Sequence, residues 1–317
     1  MIEAAIDIGT NTMLLLVAEV DGATAAGTRV PRVLHRVLAE EIQYPRLGQG
    51  VHANRNFSPD AMTRAREVFQ KYKKICDELG VKKISAMATS ASRDSLNAKE
   101  FYDSIRGDIG IDVQIISGES EAKLTFLGGL LPMNNPKESA VLDIGGGSTE
   151  FVLLDSKTGG LNSQSVNIGC VRATELFLKG DPYERASLET LETNLRQFWK
   201  TIKPDLSEEL KKREWVGVAG TPTTLAAIQL GLSSFVSEKV DGYRLTRCAI
   251  GDWYESLALK TTAQRASNPL MSTGRADIMV AGTAILLTAM ETFEREDIMV
   301  SCRGLRHGVL MYPGLVG

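Results

Sequence analysis

The chain has 317 residues, 43% hydrophobic and 24% charged, an ordinary globular composition and enough length for two hydrophobic cores. Its net charge of −3 excludes a general attraction to polyanions, and no apolar run reaches the roughly 18 residues a membrane helix needs. With those two readings neither a membrane nor a nucleic acid is an expected partner. Four scattered cysteines without C-x-x-C spacing and only three histidines argue against a disulfide framework and a histidine-rich metal site, and fit a reducing cytoplasm.

The first segment, EAAIDIG (3–9), has no basic region ahead of a long apolar one, so it is expected to be a strand and not a signal peptide. With MLLLVAEV (13–20) it is expected to form a strand pair around a tight turn. A helix is predicted over 58–80, with Ser58 as N-cap, Pro59 at the first helical position and Gly80 as the stop. Met62, Ala65, Phe69, Tyr72, Cys76 and Leu79 recur at helical spacing on one face. A strand over 81–90, a helix near Asn97–Arg106, a strand over 111–118 and a helix over 119–131 complete an alternating α/β plan. The polar stretch Pro132–Ser139 is the expected linker. Beyond it the plan restarts with a strand, a glycine turn and a strand, followed by more helix. A strand at 214–220, a helix from Thr223 and a long apolar helix over 276–293 then follow. The expected domains are therefore 1–131 and 132–317.

Two turns carry the chemistry. Ile6-Asp7-Ile8-Gly9 aligns with Leu142-Asp143-Ile144-Gly145, and each pair of strands closes on residues with little or no side chain. Such a turn lets backbone N–H groups converge on an anion without Cβ obstruction. Thr10 and Thr12 in one turn, and Ser148 and Thr149 in the other, add hydroxyl donors. The preceding aspartates could hold Mg²⁺. Ordinary hairpins with turn-capping aspartates are the alternative reading.

Several segments together give a resemblance. AIDIGTNTMLLLV, ATSASRDSLN, ISGESEAKLTFLGG, VLDIGGGSTEFV, VAGTPTTLAA, RADIMVAGTAIL and SCRGLRHGVL run in order from residue 4 to about 311. The chain resembles the exopolyphosphatase/guanosine pentaphosphate phosphohydrolase (Ppx/GppA) family of the actin, sugar-kinase and chaperone ATPase superfamily. The resemblance implies two ribonuclease-H-like α/β domains facing each other across a cleft, in a short form without extra helical domains. It implies Glu121 as general base and Arg93 as the arginine on the phosphate chain. It implies Gly9, Thr10, Asn11, Thr89, Ser90, Gly145, Gly146, Gly147, Ser148, Thr149, Gly220 and Thr221 as phosphate- or substrate-binding positions. Asp143, Glu150 and Asp7 are the implied ligands of Mg²⁺ or another divalent cation.

Ser120 stands where many relatives have a second glutamate, which singles out Glu121. Glu119 is one step away, and both acids could instead favour a helix N-terminus. For Arg93, a salt bridge to Asp94 or Asp103 is the plain alternative. Arg46 could extend the anion track, while Arg29, Arg32, His35 and Arg36 are expected on a solvated face. Arg275 and Asp277 are expected to be a structural ion pair, and His307 has no assigned role. The implied substrate is inorganic polyphosphate or guanosine pentaphosphate, and a homodimer is compatible with the sequence. A small-molecule kinase and a non-catalytic binder of polyphosphate or alarmone nucleotides remain as rivals.

Overall fold

A computed structural model describes residues 1–22, 31–130, 136–155, 158–271 and 274–315, and it divides into two α/β units. The first is built on a five-stranded sheet: β1 (Ile2–Ile8), β2 (Met13–Val20), β3 (Leu34–Gln43), β4 (Lys83–Ala88) and β5 (Val113–Ile115), in the order β3-β2-β1-β4-β5. β1, β2 and β3 are antiparallel neighbours, and β4 and β5 run parallel to β1. Strand side chains alternate between faces, and both faces of this sheet are covered. Ala4, Ile6 and Ile8 pack on Ala61, Ala65, Phe69 and Tyr72 of the Pro59–Glu78 helix and on Phe101 and Ile105. Ala5, Leu16 and Met87 on the other face pack on Leu124, Leu305, Val309 and Leu310. The helix signals hold: Ser58 Oγ accepts from Ala61 N, Pro59 starts the helix, and Gly80 follows it with φ +66°.

That second face corrects the expected domain boundary. The Leu305–Met311 helix belongs to the first unit, which comprises Met1–Gly128 and the segment from Gly304, while the second unit is Gly129–Arg303. The reason is burial: without Leu305, Val309 and Leu310 the apolar back of β1 and β2 would face water. Of the expected linker, residues 132–135 lie outside the described residues, and Pro136–Glu138 form a 3₁₀ turn.

The last helix approaches the Gly118–Gly129 helix through glycines. A Cβ on Gly308 would overlap the Leu124 carbonyl, and one on Gly128 would overlap Gly304. Gly308→Ala should therefore cost roughly 1–3 kcal/mol by overpacking. Gly107→Ala, in a helix interior with open space around it, should instead gain about 0.5–1 kcal/mol. Denaturant midpoints at unchanged m-value would show the two shifts in opposite directions.

The second unit repeats the plan. β6 (Ser139–Ile144), β7 (Thr149–Leu154), β8 (Leu161–Val166), β9 (Glu214–Val218), β10 (Arg244–Thr246) and β11 (Asp297–Val300) form the order β10-β11-β9-β6-β7-β8. From β8 to β11 this is the order and sense of the first sheet, with β10 added antiparallel at the edge. Its core centres on Phe151, whose ring lies 5.7 Å from Trp199, 5.7 Å from Trp215 and 5.3 Å from Phe293. Among the described residues, no helix is long and apolar enough to cross a membrane.

Arg32 departs from the expected solvated face. It is 3% exposed and grips Glu3 with two bonds of 2.9 and 3.0 Å. His35 and Arg36 are exposed as expected, and Arg29 lies outside the described residues.

Candidate functional site

In the first unit the β1–β2 hairpin closes tightly. Ile8 pairs with Met13, and Gly9 N donates to the Thr12 carbonyl at 2.9 Å, leaving Thr10 and Asn11 as a two-residue turn. The carbonyls of that turn are taken: Thr10 O accepts from Gly48 N at 2.8 Å and Asn11 O from Arg46 N at 3.1 Å. Gly48 must be glycine there, because a Cβ would lie 2.5 Å from Thr10 Cγ2 and 2.6 Å from Ala91 Cβ. Arg46 reaches its place in the left-handed region, at φ +53°.

Because β4 runs parallel to β1, it ends beside the same turn. Thr89 donates to the Ile8 carbonyl through its amide at 3.1 Å and its hydroxyl at 3.3 Å. Ser90 opens the Ser90–Asp94 helix, which a hydrogen bond between Ser92 and Tyr102 (2.7 Å) ties to the core. From this helix Arg93 donates to Glu121 Oε2 at 2.7 Å and to the Ile116 carbonyl at 3.0 Å. Arg93 and Glu121 are thus brought together. Asp103, one of the two alternative partners of Arg93, is held by Lys99 and Arg106.

Glu121 sits in the first turn of the Gly118–Gly129 helix, whose start is fixed by Ser117: its Oγ accepts from Ser120 N and its carbonyl from Glu121 N. Glu119 is exposed and Glu121 is buried, so the two acids separate by environment. Burial holds the Glu121 carboxyl above the usual glutamate range, with Arg93 pulling it back. Asp7, at the end of β1, is pushed up to about 7 by burial and by the Glu121 charge, against the pull of Arg306. Arg306, which carried no expected role, donates to the Leu15 carbonyl at 2.8 Å.

The second unit's hairpin matches the first position by position. Gly145 N donates to the Ser148 carbonyl at 3.0 Å, and Gly146-Gly147 form the turn. The first turn of the Cys170–Phe177 helix holds its carbonyls: Cys170 N bonds Gly145 O (2.9 Å), while Val171 N and Arg172 N bond Gly146 O (2.9 and 3.1 Å). Gly169 plays the part of Gly48, since a Cβ there would lie 2.5 Å from both Gly145 O and Gly146 C. Each turn is thus anchored to its own unit through carbonyls, and backbone amides at a turn of this kind suit an anion.

Asp143 and Glu150 are directly paired across β6 and β7, so their carboxylates project from one face. Glu150 is 1% exposed and accepts a 2.6 Å hydrogen bond from Ser165 Oγ. Among the described residues no group of three or more His, Cys, Asp or Glu is placed to hold a metal. Asp143 and Glu150 make a pair, and Asp7 lies in the other unit beside Glu121.

Two expected binding residues turn inward. Thr149 is fully buried and donates its hydroxyl to the Ile168 carbonyl at 2.6 Å, because it is already the first residue of β7. The Thr221 side chain packs against Gly282, where a Cβ would lie 2.5 Å from Thr221 Oγ1. Gly220 lies directly under the Arg275 guanidinium, which also bonds Thr224 Oγ1 at 3.2 Å.

Known proteins resemble this chain along nearly its whole length. The family model described as "Ppx/GppA phosphatase family" matches residues 28–313. "Exopolyphosphatase 2" of Mycobacterium tuberculosis is 34% identical over 306 residues, covering 93% of this chain and 92% of the relative. A "Guanosine-5'-triphosphate,3'-diphosphate pyrophosphatase" of Pseudoalteromonas translucida is 29% identical over 98% of this chain but only 59% of its own length. The solved structure of an exopolyphosphatase from Cytophaga hutchinsonii superposes with a TM-score of 0.83 at 28% identity, covering 100% of this chain and 98% of that one. With a matching family model over most of its length and a relative 34% identical over 93% of it, the chain belongs to the Ppx/GppA phosphatase family.

Proposed function

We propose that this protein is an exopolyphosphatase: with a divalent cation, Mg²⁺ being the natural choice, it hydrolyses the terminal phosphoanhydride of inorganic polyphosphate and releases orthophosphate. The observation that carries this reading is the buried Glu121 carboxylate in contact with the Arg93 guanidinium. Hydrolysis of a phosphoanhydride needs a water in line with the leaving group, a carboxylate to orient it and take its proton, and a cationic fork on the phosphoryl oxygens. Glu121 and Arg93 supply the last two, and a glycine turn of this kind would hold a phosphate through its amides. Glu121, raised by burial, is a better proton acceptor than an exposed glutamate.

Asp143 and Glu150 fit a cation of this kind. They offer adjacent carboxylates, one fixed by Ser165, and Mg²⁺ takes few protein oxygens before water and phosphate complete its shell. Asp7 is a further candidate. When bound, the cation offsets charge on the phosphate oxygens.

The polyphosphate reading is preferred to guanosine pentaphosphate because the M. tuberculosis relative is the more similar of the two, 34% against 29% identical. The sparse cysteine usage supports a reducing, cytoplasmic setting.

The deciding experiment incubates the protein with Mg²⁺ and, separately, polyphosphate, guanosine pentaphosphate and ATP, following orthophosphate. Release should be fastest from polyphosphate, fall to background with EDTA and return with excess Mg²⁺. ATP consumption only with an added acceptor would mark a kinase, and tight binding without release a sensor.

A further inference from the structure

Several helical threonines of this chain share a hydrogen bond that Thr125 lacks. Thr63, Thr174, Thr190, Thr283 and Thr292 each donate the side-chain hydroxyl to the carbonyl four residues earlier, at 2.7 to 3.0 Å. Thr125, in the Gly118–Gly129 helix, is 1% exposed, yet its Oγ1 has no hydrogen-bond partner among the described residues. The carbonyl it forgoes is that of Glu121. An unpartnered buried hydroxyl is costly, and valine would fill the same volume without that cost. Such groups are commonly met by an internal water.

Residues four apart on a helix lie on one face with Cβ atoms about 5–6 Å apart. That is the span a single water covers when it bonds to an oxygen on each side. Leu124 and Gly128, on the adjoining face, are closed by the Leu305–Met311 helix, where the Leu124 carbonyl meets Gly308.

We propose that Thr125 is a positioning residue: its hydroxyl and the Glu121 carboxylate, one helical turn apart, bind one ordered water that fixes the carboxylate for its work on the attacking water. The proposal rests on the reading of Glu121 as the water-orienting group. The threonine needs no contact with substrate. Its effect passes through the orientation of Glu121, so it belongs in kcat and not in substrate affinity.

The test compares wild type, Thr125→Val and Thr125→Ser for kcat and KM of orthophosphate release, for thermal midpoint, and for solvent structure in a high-resolution substrate-free crystal. Thr125→Val should lower kcat about tenfold or more with KM within twofold and a thermal midpoint unchanged or raised. Thr125→Ser should restore most of the loss. In wild-type and serine crystals a water should lie within hydrogen-bond distance of both Oγ and the Glu121 carboxylate, and it should be missing in the valine variant. Wild-type kcat in Thr125→Val overturns the proposal. So does a parallel drop in kcat and midpoint that serine does not rescue, and so does a wild-type crystal with no water at that place. If no tested phosphate substrate is hydrolysed, the functional reading fails, and the crystal still decides the water site independently.

Discussion

Glu121→Gln should lower kcat for orthophosphate release by at least about 10²-fold while KM stays nearly constant. The amide has the same shape and can still accept the Arg93 hydrogen bond through its oxygen, so the neighbourhood should survive. What it cannot do is take a proton from water. Loss of fold is not an alternative explanation, because burial already works against the Glu121 charge and a neutral side chain removes that cost. Arg93, whose side chain is 26% exposed, can turn to solvent when its partner is neutralised. Steady-state kinetics beside a thermal melt would check both halves. Turnover near wild type in Glu121→Gln would take this residue out of the chemistry.

Gly169→Ala should be nearly as damaging through a different route. Its Cβ would sit 2.5 Å from Gly145 O and Gly146 C, both backbone atoms of a turn already held by three amides of the Cys170–Phe177 helix. Neither the helix nor the turn can give way alone, so the Gly145–Ser148 loop moves. Displacing groups that position a substrate by about 1 Å is worth roughly 10²-fold in rate, and the overpacking costs about 1–3 kcal/mol of stability. Gly251→Ala, inside the Arg247–Ala258 helix with open space around it, is the control and should leave turnover intact. Equal turnover in Gly169→Ala and Gly251→Ala would show that the turn's position is not critical.

Much of this architecture was legible because local signals and burial agree. The Pro59–Glu78 helix carries its cap, its proline and its stop, and its apolar stripe is the face that meets β1. The twin aspartate-glycine turns announced two related units, and the repeated strand order bears out that reading. Other features depend on contacts distant in sequence. Nothing in GLRHGVL reveals that its apolar residues complete the core of the first unit, nearly 300 positions away from β1. β3 is an edge strand with much of its surface exposed, so it lacks the apolar run that marked β1 and β2. Arg32 looked solvent-facing until Glu3 appeared opposite it.

The site shows the same divide. Glu121 and Arg93 could be named singly, but their contact arises from the fold. The importance of Gly48 and Gly169 lies in backbone atoms they nearly touch, which a sequence does not show. Thr149 and Thr221 carry hydroxyls suited to phosphate, yet one is spent within the sheet and its neighbouring loop and the other is packed against a helix.

The most direct test of the whole account is to follow polyphosphate of defined length with Mg²⁺, resolving every product by size. Orthophosphate should be the released species, appearing from chain ends while fragments from internal cleavage stay absent. Chains left intact under those conditions, or cut into mid-length pieces, would contradict it.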